Sequence, residues 1–276
     1  MADKQLNGVN WNTSGDWAPV NEPATADDVR IADSPRDIIT GDQGGVDVNS
    51  LLVPSRYVGS FGTSGSPLQI AGSLIRYFAR GGFFYESDAG GATLRTDEIR
   101  IDAADSAVKV EIGSNAADPG YVDKVIWSRC NGLLKGNVKL DTIGIQEVLK
   151  EATLTIAAGI GATYGQTAIP VVQNQGGTVK CDSAITTMRL MGGEHTQDTA
   201  KIVNGDVFFG TLIYNHAAVT GDATVLKIGD GGTLVLDANS KLKRLTTVWL
   251  FPGSRIIPSR PDGITHIIDN LYDLRR

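Results

Sequence analysis

Cysteine is almost missing from this chain: its 276 residues contain two, Cys130 and Cys181. Neither belongs to a CxxC pair, which excludes a disulfide framework and a thiolate zinc site and leaves two buried thiols of the core. Histidine is nearly as scarce. His195, His216 and His266 lie far apart with no second His or Cys at ligand spacing, so no metal is expected and they are read as surface or turn residues. Excess positive charge is missing as well: 25 Lys plus Arg stand against 31 Asp plus Glu, a net charge of −6 at pH 7. A phosphate-binding role is therefore not expected, and nucleic acid is not an expected partner. Apolar runs long enough to cross a bilayer are lacking, and the opening MADKQLNGVNW has no apolar stretch of the kind a secretion signal needs. The expectation is a protein made and folded in a host cytoplasm, with no membrane partner. Helical periodicity is lacking too. Its one candidate, Ile143 to Glu151, contains Gly144 and is followed by β-rich Thr153 to Ala157, so no helix is assigned there.

What the chain has instead is glycine, 33 residues of it, set between short runs of β-branched, leucine and aromatic residues. The cadence is clearest from Gly176 to Ile257, where GGTVKCD, TTMRLMGG, AKIVNGDVFFGTLIYN, ATVLKIGDGGTLVLDANSKL and TTVWLFPGSRII follow one another. Each run is cut by Gly, Asn or Asp, residues that accept positive φ at tight corners. A hydrophobic content of 41 % excludes a disordered chain, and the length suffices for a sizeable core, as one large β domain or two smaller ones. From Val46 to Ile112 the style is the same, and Ala107-Val108-Lys109-Val110-Glu111-Ile112 alternates as a strand with one buried face does. The unit Gly176-Gly177-Thr178-Val179 returns at Gly231-Gly232-Thr233-Leu234, 55 residues later (231 − 176), a spacing that fits two or more turns of a coil.

These features predict an all-β fold: a parallel β-helix (β-solenoid) body with an extended N-terminal arm. The alternative is a β-sandwich or jelly-roll type stack. Asn131-Gly132, Asn204-Gly205 and Asp262-Gly263 are hairpin dipeptides and favour the sandwich. TVWLF and VFFGTLIY carry more apolar residues than strict alternation allows, as strands do when both faces are covered in a coil core or at a subunit contact. The chain divides into an extended N-terminal arm at 1–45, a first β-rich part at 46–113, a turn or linker at 114–121, a second β-rich part at 122–260 and a C-terminal tail at 261–276. Pro19, Pro23 and Pro35 interrupt the arm, and Asp118-Pro119-Gly120 makes the turn. Trp11 and Trp17 are the expected anchors of the arm, either capping the open end of this chain's own stack or touching a neighbouring subunit. In the tail, apolar Ile264, Ile267, Ile268, Leu271 and Leu274 fit a short amphipathic helix or a strand added to a neighbour. Ile267 and Leu271 are accordingly interface candidates, with packing back on the parent body as the other outcome.

No constellation of residues supports catalysis. A GxSxG elbow and the phosphate-cradling GxxxxGK[ST] and GxGxxG patterns are all lacking. Asp27-Asp28 and Asp97-Glu98 are adjacent acids, which a strand turns to opposite faces, so neither doublet alone makes an acid/base pair. No cofactor is expected.

Trp11-Asn12, then Gly15-Asp16-Trp17, Pro19, Pro23, Asp27-Asp28-Val29 and Ile31, resembles the opening of structural proteins of tailed bacteriophages and related prophages. The stretch YVGSFGTSGSPL from Tyr57 to Leu68, with Gly81-Gly82-Phe83-Phe84-Tyr85 after it, adds to the likeness. Among such proteins it is similar to capsid decoration or cement proteins, which sit on the outside of the head lattice. The resemblance implies a non-enzymatic protein on the virion head surface that binds the major capsid protein, bridges capsomers and forms a homotrimer. It makes Trp11, Trp17, Tyr57 and Phe61 the candidate anchors. The alternative from another class is a tailspike or tail-fibre module that binds or cleaves host polysaccharide, which needs a lateral groove of carboxylates and exposed aromatics assembled from different rungs.

Overall fold

The structure is a computed structural model. It describes residues 3–7, 14–33, 37, 42–63, 67–86, 95–103, 108–113, 121–136, 138–147, 152–160, 162, 165–198, 200–215, 225–236, 245–257 and 264–269. Among these residues there are 23 strands and no α-helix. The N-terminal strands are β1 (Asp3–Leu6), β2 (Trp17–Ala18), β3 (Asp28–Ile31), β4 (Asp42–Val53), β5 (Leu68–Tyr77), β6 (Phe83–Glu86), β7 (Arg95–Asp102) and β8 (Lys109–Gly113). The middle of the chain supplies β9 (Tyr121–Ser128), β10 (Asn131–Leu134), β11 (Lys139–Glu147), β12 (Thr153–Ile156), β13 (Ile169–Asn174), β14 (Thr178–Cys181), β15 (Ile185–Leu190) and β16 (Glu194–Gln197). The last are β17 (Ile202–Val207), β18 (Gly210–Tyr214), β19 (Val225–Ile228), β20 (Gly232–Leu236), β21 (Leu245–Leu250), β22 (Arg255–Ile257) and β23 (Ile264–Asp269).

From β5 onward each strand pairs in parallel with the strand two places later, so the odd strands build one sheet and the even strands another. One odd strand, a corner and the next even strand make a rung. Short β2 is the exception, antiparallel to β1. Hairpins would have placed sequential strands side by side and antiparallel, so this architecture is all-β with long sheets of parallel strands, consistent with a β-helix or solenoid.

Alternation within each strand sends every second side chain into the space between the sheets, and parallel register stacks those side chains into columns. One column of the odd sheet runs Val29, Leu51, Ile75, Ile99, Val125, Ile143, Val172 and Met188, all buried. The facing column of the even sheet runs Phe83, Val110, Gly132, Leu154, Val179, His195, Leu212 and Leu234. Gly132 is small for a reason: a Cβ there would fall 1.9 Å from Trp127 Cζ2, so the indole fills the space that a side chain at 132 would take. Trp127 Nε1 donates to the carbonyl oxygen of Cys130 at 2.9 Å, which satisfies the one polar atom the ring brings inside.

Corners between the odd and even strands depend on glycine. Gly177, Gly193, Gly210, Gly231 and Gly253 all have positive φ, between 75° and 100°. A Cβ on Gly193 would sit 2.2 Å from the Gly177 oxygen, and one on Gly210 2.4 Å from the Gly193 oxygen, so successive corners stack backbone on backbone. This explains the spacing of 55 residues. Thr178 pairs with Glu194, Glu194 with Thr211 and Thr211 with Thr233, which places the two GGT units in one column three rungs apart. Unequal rung lengths hide the period from the sequence.

Several expectations are corrected. The extended arm is, where described, part of the body: β1 pairs with β3 and β3 with β4. Trp17, only 2 % exposed, packs into the same core, which agrees with the first of the two expectations for it, capping this chain's own stack, and not with contact to a neighbour. Its indole gains more from burial on the end of the stack than from projecting into water. Asn131-Gly132 and Asn204-Gly205 lie in parallel strands and make no hairpin; their glycines make room for Trp127 and for Leu226, whose Cδ2 would be 2.6 Å from a Cβ on Gly205. Asp262-Gly263 lies outside the described residues. Both sheets run unbroken past 114–121, since β7 pairs with β9 and β8 with β10.

Candidate functional site

His195 is not a surface or turn residue. It points inward from β16 and is fully buried between Val179 and Leu212 of the neighbouring rungs. Gln197 Nε2 donates to the carbonyls of Ser183 (2.8 Å) and Ala200 (2.9 Å), which fixes its Oε1 as an acceptor 3.1 Å from His195 Nε2. The imidazole therefore carries its proton on Nε2, and Nδ1 has no partner. Burial pushes the His195 pKa down to about 4, against smaller opposing effects of Gln197 and Asp198. A neutral, enclosed imidazole has no path to a substrate. The two thiols are equally inert: burial raises Cys130 and Cys181 to about 12. Among the described residues no group of three or more His, Cys, Asp or Glu is placed to hold a metal ion. His216 lies outside the described residues, and His266 is in β23 opposite Thr247.

The acid doublets are occupied structurally. Asp28 Oδ1 accepts from Ser50 Oγ and Asn49 Nδ2, both at 2.6 Å, and these bonds hold its carboxyl below the usual carboxylate range. Asp27 is buried and accepts from the backbone N–H of Ala24 at 3.0 Å. Glu98 is bridged to Arg100 at 2.9 Å and Lys124 at 3.0 Å; desolvation raises its pKa, but bonds to these two cations outweigh it and the net shift is downward.

Of the expected anchors, Trp17, Tyr57 and Phe61 are interior, each 2 % exposed or less. Tyr57 donates to the Ser60 carbonyl at 3.0 Å, and the Phe61 ring lies 5.8 Å from that of Phe83. These rings plug the interior and offer no face to a partner, because they stand at inward positions beside the first rungs. Trp11 and Leu271 lie outside the described residues. Ile267 is in β23, paired with Val248.

The accessible aromatic surface is elsewhere, at the corner that follows the odd strands. Met191, Phe208, Gly229 and Phe251 succeed one another there, each N–H bonding to the rung before: Met191 to Asn174, Phe208 to Leu190, Gly229 to Val207 and Phe251 to Ile228. Met191, Phe208 and Phe209 are 45 %, 42 % and 57 % exposed, unusual for such side chains. Phe208, Phe251 and Pro252 line a groove of about 510 Å³ together with Gly229, Asp206, Lys227 and Asp230. Asp206 and Lys227 are register partners on β17 and β19. The groove thus combines aromatics with carboxylates drawn from different rungs. Sequence reasoning missed it. The signal was the Phe-Phe pair directly before Gly210, a corner glycine, where neither ring is in strand alternation.

A second apolar feature is the outward column of the even sheet: Ile213, Val235 and Ile257 are register partners on β18, β20 and β22, and Ile257 is 52 % exposed. The same column in the N-terminal half carries Glu111, clamped by Lys109 at 2.8 Å and Lys135 at 2.6 Å.

Comparison with protein families, with curated proteins and with solved structures gives no match.

Proposed function

We propose that this chain is a parallel β-helix acting as a non-enzymatic decoration protein of a tailed-phage head, self-associating as a homotrimer and binding the major capsid protein. The observation that supports this reading is the flat outward column Ile213, Val235 and Ile257. Parallel pairing holds these side chains about 4.8 Å apart on a stiff sheet, a surface suited to a protein face and costly to leave in water. Gripping through this sheet replaces Trp17, Tyr57 and Phe61, whose aromatic rings are interior. The test is imaging of purified particles with the chain located, beside Val235→Glu and Ile257→Glu variants. The expected result is density on the head surface, with occupancy falling at least tenfold in the variants while the melting temperature holds. Location on the tail, or full occupancy with both variants, overturns the reading.

A further inference from the structure

We propose that the corner groove is a binding site for an uncharged linear glycan lying along the stack, with Phe208 and Phe251 as platforms for alternate sugar units. This does not depend on where a particle carries the chain. The two rings stand on rungs two apart, with Gly229 on the rung between, so they are separated along the stack by roughly 10 Å, twice the strand spacing. A pyranose unit in an extended chain is about as long as one strand spacing, so units one and three of a bound chain meet the two rings. Gly229 puts no side chain on the rung between them; a Cβ there would lie 3.3 Å from both Cα and Cδ1 of Phe208, so glycine at this position leaves the Phe208 ring its place.

The polar groups that line the groove fit a neutral sugar better than an anionic chain. Pyranose C–H faces are apolar and stack on aromatic rings, whereas their hydroxyls need both donors and acceptors at the edge. Lys227 supplies donors, and Asp206 and Asp230 supply acceptors. Two carboxylates against one ammonium, on a chain of net charge −6, oppose an acidic polysaccharide or a phosphorylated chain.

The test is calorimetric titration of the full chain with cello-, xylo-, manno- and maltohexaose, with oligogalacturonate as the acidic control. The expected result is saturable binding of at least one neutral hexaose and none of the acidic control. The disaccharide of the bound sugar, too short to reach both rings, should bind at least about tenfold more weakly, and Phe208→Ala and Phe251→Ala should each weaken the hexaose about tenfold. Unchanged melting curves would show that these variants remain folded. Failure of all four neutral hexaoses at millimolar concentration, affinity unchanged in both variants, or preference for the acidic chain overturns the proposal.

Discussion

The two Phe-Phe pairs of this chain meet opposite fates. Phe83-Phe84 opens β6, so alternation sends Phe83 fully inside and Phe84 to the outer face, where Lys109 Nζ lies 6.0 Å from its ring. Phe208-Phe209 follows the last residue of β17 and precedes Gly210, whose φ of 100° turns the corner, and both rings are left in water. The contrast extends to the halves of the molecule. In the N-terminal half aromatics form the interior: the Tyr77 and Phe83 rings stack at 4.6 Å, Phe83 and Tyr85 at 5.8 Å, and Trp127 closes the next rungs. In the C-terminal half the interior is mostly aliphatic, with Tyr214 and an enclosed polar set of Asn174, His195 and Gln197, while Phe208, Phe209 and Phe251 face outward. The first half uses its aromatic surface to hold itself together. The second leaves that surface available.

The strongest way to break this comparison is Trp127→Ala. The indole is fully buried over Gly132 and hydrogen-bonded to Cys130, and position 132 has no side chain to move into the space it would leave. A loss of about 3–5 kcal/mol is expected, as for large aromatic truncations that leave a cavity. Guanidinium unfolding measures it. A loss below about 1 kcal/mol would mean that the N-terminal interior is not built on its aromatics.

The C-terminal interior should be distinguished by acid. His195 is neutral when folded with its pKa lowered to about 4, while an unfolded histidine titrates near 6.5. The unfolded chain therefore binds the extra proton first as pH falls. Stability is fully present above about 6.5 and declines toward about 4, by on the order of 3 kcal/mol. Asp28 and Glu98, whose folded pKa values are also lowered, add losses only as pH falls below the usual carboxylate range. The two windows are separable. Melting temperature followed from pH 7 to pH 4.5 should fall in the native chain and stay nearly flat in His195→Leu. An equal fall in both would place the acid sensitivity elsewhere.

The all-β class was legible because short apolar runs cut by Gly, Asn and Asp leave few other folds open. Recurrence of GGT was legible as well, although the unequal rungs concealed that three rungs separate its copies. What could not be read was direction. An Asn-Gly pair marks a hairpin only when local chemistry decides; at Asn131-Gly132 the deciding fact is Trp127, five residues upstream of the glycine and on the other sheet. His195 looked like a polar surface residue until register placed it in a column between Val179 and Leu212. The groove escaped for a similar reason. Phe208, Gly229 and Phe251 are distant in sequence and meet only because parallel register stacks the corners after β17, β19 and β21.

The smallest expected effect is the sharpest test of the contrast. Phe208→Ser and Phe209→Ser remove two large aromatic side chains, the same chemistry whose loss at Trp127 is expected to be severe. Both side chains are more than two-fifths exposed, so their truncation forfeits little burial, and each should change stability by no more than about 0.5 kcal/mol. The chain should also become more soluble as exposed apolar surface is withdrawn. Unfolding midpoints beside those of Phe83→Ala give the comparison within one residue type. Should the Phe208 and Phe209 variants lose as much as Phe83→Ala, the corner rings are packing residues like their N-terminal counterparts, and an aromatic edge held ready for a ligand has no physical basis.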